Sequence, residues 1–242
     1  MKDLHSHLLY GIDDGSKTIE ESIKLLKEME KAGTTDLILT PHYVDHSKYN
    51  CNNEDKMKLF KEFQNKAKEQ NININLYLGN EVFYTSHFLE LLKNKEIRTL
   101  NDSKYLLFEF PMSNVYANAL EVTNEIIRKG YVPVLAHPER YYAFQKHPEA
   151  LEVYIMGGIL MQANLTTLFG KYGRTAEKTL KYFLKKKWIS FLGSDTHHEV
   201  KYNEKKLEKK LLRITKDKDY VEDLLKNNFD KVIENKDISM IR

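Results

Sequence analysis

The chain has 242 residues, 41% of them hydrophobic, which is enough for a substantial core and is the usual length of one α/β barrel. Lys and Arg number 38 against 35 Asp and Glu, and a net charge of only +3 excludes the strongly basic surface of a nucleic-acid or anionic-membrane binder. A single cysteine, Cys51, excludes an intrachain disulfide and a thiolate cluster for zinc.

Taken in order, Lys2 to His5 reads as a strand that runs into His5-Ser6-His7. Side chains alternate along a strand, so His5 and His7 project to the same side and their ring nitrogens can converge on one metal ion. A turn-rich loop, Tyr10 to Ser16, carries Asp13 and Asp14. Thr18 with Glu21 three residues on is a capping-box pattern, and Ile19, Ile23, Leu26, Met29 and Ala32 at helical spacing predict a helix that stops at Gly33. Asp36 to Thr40 is a short apolar strand ending at Pro41-His42. Tyr43 to Asn53 reads as a polar, aromatic surface loop, and Glu54 to Gln70 as a charged amphipathic helix.

Ile72 to Leu78 is a strand that runs through Gly79-Asn80 to Glu81, and Ser86 to Lys93 a short helix. Tyr105 to Phe108 leads into Glu109, and Val115 to Lys129 is helical up to Gly130. Tyr131 to Ala136, β-branched and apolar, ends at His137. Pro148 to Met156 predicts a helix, Ile159 to Asn164 a strand, and Thr175 to Lys187 a helix. Trp188 to Leu192 is a strand that delivers Gly193-Ser194-Asp195-Thr196-His197. From Lys201 onward the chain is Lys/Glu-rich and helical. There is no repeat, low-complexity tract or linker, so a single domain over residues 1–242 is expected. No stretch approaches the roughly 18 apolar residues of a membrane span. The N-terminus lacks a charged segment followed by an apolar one, and a cytoplasmic protein is expected.

Strand and helix alternate about seven times, and short, nearly all-apolar strands between amphipathic helices argue a parallel sheet covered by helices. An open doubly wound sheet is the other candidate, but no Gly-x-Gly-x-x-Gly turn follows the first strand. The strands end in His5/His7, His42, Glu81, Glu109, His137 and Asp195/His197. In a barrel all these ends share one face, where catalytic groups gather. A buried carboxylate or imidazole is costly unless paired or coordinated, so the set is hard to explain as packing. Imidazole and carboxylate without thiolate suit Mn, Fe or Zn, and there are more donors than one ion takes, implying two or three divalent ions.

His5-x-His7, Asp13-Asp14-Gly15, Thr40-Pro41-His42, Gly79-Asn80-Glu81, Phe108-Glu109-Phe110, His137-Pro138-Glu139-Arg140-Tyr141 and Gly193-Ser194-Asp195-Thr196-His197 together resemble the PHP-domain phosphoesterases. Among them the chain looks most like the bacterial manganese-dependent protein-tyrosine phosphatases of capsule and exopolysaccharide loci, the CpsB/YwqE type. The resemblance implies a distorted (β/α)7 TIM-like barrel with a trinuclear site. It implies a first metal on His5, His7, Glu81 and Asp195, and a second on Glu81, Glu109 and His137. The third would sit on Asp14, His42 and His197. It also implies hydrolysis of phosphotyrosine on a bacterial tyrosine kinase that controls polysaccharide synthesis, with Glu81, Asp195 and Arg140 as the catalytic set and Mn2+ as cofactor. The alternative is a small-molecule phosphatase of the same superfamily, such as histidinol-phosphate phosphatase. Arg140 matches the family's phosphate-holding arginine. Where a second arginine often follows the Asp-x-His motif, this chain reads His198-Glu199-Val200-Lys201, and Lys201 reads better as a solvated lysine. Tyr10, Tyr43, Tyr141 and Tyr142 lie in loops beside ligands; they either hold an aromatic leaving group or pack the rim. No nucleic acid or membrane partner is expected, and a monomer is favoured.

Overall fold

The structure, a computed structural model, describes residues 1–116 and 118–238. Its strands are β1 (Lys2–Asp3), β2 (Asp36–Leu39), β3 (His42–Tyr43), β4 (Asn75–Leu78), β5 (Glu81–Phe83), β6 (Tyr105–Glu109), β7 (Val132–Ala136), β8 (Leu160–Asn164) and β9 (Phe191–Gly193). The helices up to mid-chain are α1 (Ile19–Ala32), α2 (Asn53–Glu69), α3 (Phe88–Lys93), α4 (Ala119–Arg128) and α5 (Tyr142–Lys146). Those after it are α6 (Glu152–Met156), α7 (Gly173–Lys185), α8 (Glu204–Thr215), α9 (Lys218–Glu222) and α10 (Asn228–Ile233).

All strand pairs are parallel, in the orders β1-β2-β4 and β3-β5-β6-β7-β8-β9. β2 and β3 are one course of chain interrupted at Thr40-Pro41, and β4 and β5 one course interrupted at Gly79-Asn80. Pro41 has no N–H for the ladder, which favours a break there. Across the breaks Gly79 N donates to Leu39 O (2.8 Å) and Glu81 N to Pro41 O (3.2 Å), so the two sheets run into each other. The first segment also bonds to the last strand: Leu4 N donates to Leu192 O (3.3 Å), Asp195 N to His5 O (2.9 Å) and His7 N to Thr196 O (2.9 Å). The result is a mixed α/β fold around a curled parallel sheet.

Strand alternation sorts the core into two parts. Leu4, Ile38, Tyr105, Leu107, Val134, Ala136, Leu160 and Phe191 face one side of the sheet, where Phe229 and Val232 of α10 join them. Leu37, Leu39, Leu106, Phe108, Leu135, Met161 and Leu192 face the other side and pack with the helices. On α1 the buried Ile23, Leu26 and Met29 form the inward stripe, each contributing about 1.5–3 kcal/mol by burial. The cap expected at Thr18 is formed: its side chain accepts from Glu21 N, and Lys17 N donates to Glu21 Oε2 (2.7 Å).

Several expected elements are adjusted. Pro148 to Met156 is not one helix but a 3-10 turn, Pro148–Leu151, followed by α6. The helix expected over 115–129 is α4, shorter at its start; Ala117 lies outside the described residues, as do residues 239–242 of the expected C-terminal helical stretch. Tyr43 is a strand residue paired with Val82 rather than the start of a surface loop. A 3-10 turn, Pro138–Arg140, and α5 follow His137. No helix among the described residues is long and apolar enough to cross a membrane.

Candidate metal centre

The strand that buries Tyr105 and Leu107 on one face carries Glu109 two residues further on that same face, at its C-terminal end. The same logic holds around the sheet, and the polar residues at the strand ends meet. Glu81 is the hub. Its Oε2 lies 3.2 Å from His5 Nε2, 3.3 Å from His7 Nε2 and 3.1 Å from His42 Nδ1, and its Oε1 lies 2.9 Å from His137 Nε2. Glu109 Oε1 is 3.4 Å from His42 Nδ1, and its Oε2 is 3.6 Å from His137 Nε2. Asp195 Oδ1 stands 3.7 Å from His5 Nε2, 3.4 Å from His7 Nε2 and 3.4 Å from His197 Nδ1. Asp14 Oδ1, on a half-exposed side chain, faces His42 Nε2 at 3.5 Å and His197 Nε2 at 3.4 Å. All nine residues expected as ligands are thus in one place. Three subsets present donor atoms within 4.8 Å of one another: His5, His7 and Glu81; His42, Glu81 and Glu109; and His7, Asp14, His42 and His197.

A ring of supporting contacts aims these side chains. His5 Nδ1 donates to Gln162 Oε1 (2.8 Å), whose amide orientation is fixed by Gln162 Nε2 donating to Asn164 Oδ1 (3.1 Å). His7 Nδ1 donates to Asp13 Oδ2 (2.8 Å), and that carboxylate also accepts from Gly15 N and His42 N. Neither glycine beside these histidines tolerates a side chain. A Cβ on Gly15 would fall 2.0 Å from His7 O, and one on Gly193 would fall 2.5 Å from His5 Cβ. Asn80 donates to Pro41 O (2.8 Å) and accepts from the buried Lys56 ammonium (2.7 Å), tying the two strand breaks that present His42 and Glu81. His137 (φ 37°) and Asp195 (φ 51°) adopt the left-handed region. That conformation costs on the order of 1 kcal/mol or more and is typical of functional positions.

These contacts decide whether the residues suit a metal. With Nδ1–H committed on both rings, neutral His5 and His7 direct lone pairs at each other from Nε2 atoms 3.0 Å apart. Only a shared cation, a proton or a metal, makes that arrangement favourable. Among the described residues the buried Nδ1 of His137 has no hydrogen-bond partner, and that of His42 approaches Glu81 Oε2 at 3.1 Å without hydrogen-bond geometry. The donor set fits divalent ions of the Mn, Fe or Zn type.

Burial alone would lower His5, but the adjacent Glu81 carboxylate overrides it and lifts the ring to about 9; the same contest lifts His42 to about 10. Glu109 is pushed up to about 8 by burial and by Glu81, while Glu81 and Asp195 are held well below the usual carboxylate range by the imidazoles around them despite their burial. His5 and His42 therefore favour their protonated forms near neutral pH, and a metal held by them would have to displace those protons, so its affinity would rise with pH. Loading near neutral pH is expected to release more than one proton per chain. Calorimetric titration in two buffers of different ionisation enthalpy measures this, and zero net release would contradict the raised imidazoles.

A cavity of about 570 Å3 opens on the cluster. Arg140 lies in its wall: one guanidinium nitrogen donates to Asp195 Oδ2 (2.9 Å), and the guanidinium carbon sits 4.5 Å from the centre of the Tyr172 ring. The expected aromatic contacts need correction. Tyr43 is buried with its hydroxyl donating to Glu96 Oε2 (3.0 Å). Tyr141 is buried beneath the strand ends, donating to Ala136 O (3.1 Å) and accepting from Phe110 N (3.0 Å). Tyr10 packs against the main core, and Tyr142 is 64% exposed. None of the four lines the cavity; Tyr172 does, with its hydroxyl donating to Asp195 Oδ2 (3.0 Å). Lys171 lines it as well, whereas Lys201 pairs with Glu199 on the surface. The sequence signal for Lys171 and Tyr172 was faint: they sit after the one strand, β8, whose end offers no ligand type beyond Gln162 and Asn164.

Comparison with known proteins shows the family and the fold. The family model described as "Capsular polysaccharide synthesis, CpsB/CapC" matches residues 1–234. The CapC protein of Staphylococcus aureus is 36% identical over 198 residues, covering 81% of this chain and 77% of its own length. The tyrosine-protein phosphatase CpsB of Streptococcus agalactiae serotype V is 32% identical over 203 residues, covering 82% and 83%. A solved structure of the pair YwqE from Bacillus subtilis and CpsB from Streptococcus pneumoniae, described as metal-dependent tyrosine phosphatases, shares the fold. It has a TM-score of 0.91 at 24% identity and covers 99% of this chain and 96% of that one.

Proposed function

This chain belongs to the CpsB/CapC family of capsular polysaccharide synthesis, and on that premise we propose that it is a metal-dependent protein-tyrosine phosphatase. Its substrate is phosphotyrosine on a bacterial tyrosine kinase that regulates capsular or exopolysaccharide synthesis, and it works in the cytoplasm as a single-domain monomer. The observation that carries the reading is Glu81, buried and flanked by the rings of His5, His7, His42 and His137, at the base of a cavity that Arg140 borders. The hydrogen bonds from Leu4–His7 to the last strand support reading the curled sheet as a distorted (β/α)7 barrel, with this cluster at its C-terminal face.

Manganese is the proposed metal. When bound, two or three divalent ions would supply an acidified water as nucleophile and positive charge against the phosphate oxygens. The chain's own residues do the rest. His5, His7, Glu81 and Asp195 would hold one ion; Glu81, Glu109 and His137 a second; and Asp14, His42 and His197 a third. Gln162 and Asp13 keep His5 and His7 in the tautomer that frees Nε2. Asn164, Tyr172 and Arg140 all donate to Asp195 Oδ2, leaving Oδ1 for the cluster. Arg140 presents its remaining N–H groups to the phosphate.

The test is turnover of a phosphotyrosine peptide beside histidinol phosphate, with added manganese. Hydrolysis of the peptide, lost to a strong chelator and restored by Mn, is expected. Turnover of histidinol phosphate alone would overturn the substrate assignment, and an active preparation holding less than one metal per chain would overturn the metal one. Cys51 is not part of the chemistry: burial pushes its thiol up, it does not line the cavity, and Met57 stands where a cysteine-dependent phosphatase has its arginine. Cys51→Ser therefore keeps near-normal kcat/KM, and inactivation with the fold intact would refute the metal mechanism.

A further inference from the structure

Apart from histidines, the cavity wall carries two basic side chains, Arg140 and Lys171. Lys171 lies in the turn from Gly170 to Gly173 that leads into α7. Its ammonium donates to Asp195 O (3.3 Å) and sits 5.2 Å from the centre of the Tyr172 ring, the same ring on which Arg140 stacks. An ammonium has three donors, and this contact uses one. Among the described residues no carboxylate lies within ion-pair distance of it. We propose that Lys171 is a second substrate-contact residue, which binds the phosphate group together with Arg140.

The proposal rests on the phosphate-ester reading above. The guanidinium of Arg140 commits one of its five N–H groups to Asp195, and a phosphate carries three non-bridging oxygens, which leaves acceptors for a second cationic side chain. The two unused donors of this half-buried ammonium are free to meet an anion that enters the cavity. The Asp195 carbonyl fixes the ammonium beside a metal-ligating strand end, and the Tyr172 face steers both cations into the same part of the wall.

The experiment measures binding of inorganic phosphate to the manganese-loaded protein, with metal content determined on each sample, alongside peptide turnover. Lys171→Met is expected to weaken phosphate by about tenfold and to lower kcat/KM on the peptide by at least as much, with manganese content unchanged. Lys171→Arg is expected to restore binding to within about threefold. Phosphate binding in Lys171→Met within twofold of wild type overturns the proposal. So does a loss of manganese that accounts for the weaker binding, since the lysine would then only brace the Asp195 turn. If the wild-type protein binds phosphate but does not hydrolyse the peptide, the tyrosine-phosphatase reading falls. A tenfold weaker phosphate affinity in Lys171→Met with metals retained would still uphold the role of Lys171.

Discussion

Glu81→Ala is expected to strip most of the bound metal and to lower kcat/KM by more than about 1,000-fold, equivalent to about 4 kcal/mol of transition-state stabilisation. Among the described residues no other carboxylate meets four imidazoles: three ring nitrogens lie within 3.3 Å of Oε2 and a fourth within 2.9 Å of Oε1. Removing it takes a ligand from two proposed ions and the counter-charge from the buried His5 and the partly buried His42. Their pKa values should then fall, because burial would act without the carboxylate that opposes it. Glu81→Gln keeps the volume and loses the charge, so it should fail nearly as badly. Elemental analysis and peptide kinetics on the same samples decide the matter. Full metal content with activity within tenfold of wild type would remove Glu81 from the proposed metal-holding set.

Arg140→Ala is expected to lower kcat/KM on a phosphotyrosine peptide about 30- to 1,000-fold, the roughly 2–4 kcal/mol carried by a charge-assisted contact in a partly desolvated site. The opposing account is a plain ion pair with Asp195, worth at most about 1 kcal/mol of stability and nothing in rate. The geometry separates the two. Asp195 Oδ2 also accepts from Asn164 Nδ2 (2.7 Å) and Tyr172 OH (3.0 Å), so losing the guanidinium leaves that oxygen satisfied and the metals in place. Arg140→Lys should recover only part of the rate, since a point charge does not reproduce the fork or its stacking on Tyr172. A fall of less than about threefold in Arg140→Ala, with metals retained, would reduce Arg140 to a brace for Asp195.

Most of the clustered residues were readable because they sit where an apolar strand gives out. Leu107-Phe108-Glu109 and Leu135-Ala136-His137 set a titratable group at the end of a buried run, where burial without a partner is costly. Parallel strands then bring every such end to one side of the sheet. The aromatic contacts were misplaced for a reason the same alternation contains: Tyr43 follows His42 directly, so on a strand it points to the opposite face, into the core and toward Glu96. Tyr141 is separated from His137 by a 3-10 turn that folds it beneath the strand ends.

Taken by itself, the sequence determined which residues stand at the strand ends, because strand period and hydrophobic burial are local and repeat along the chain. Tertiary structure alone decided three things. It set which carboxylate oxygen meets which ring nitrogen, turned His137 and Asp195 into the left-handed region, and swung Lys171 and Tyr172 over Asp195. Those depend on how a loop returns across the sheet, which is fixed by the packing of elements distant in the chain and leaves no period in the residues themselves.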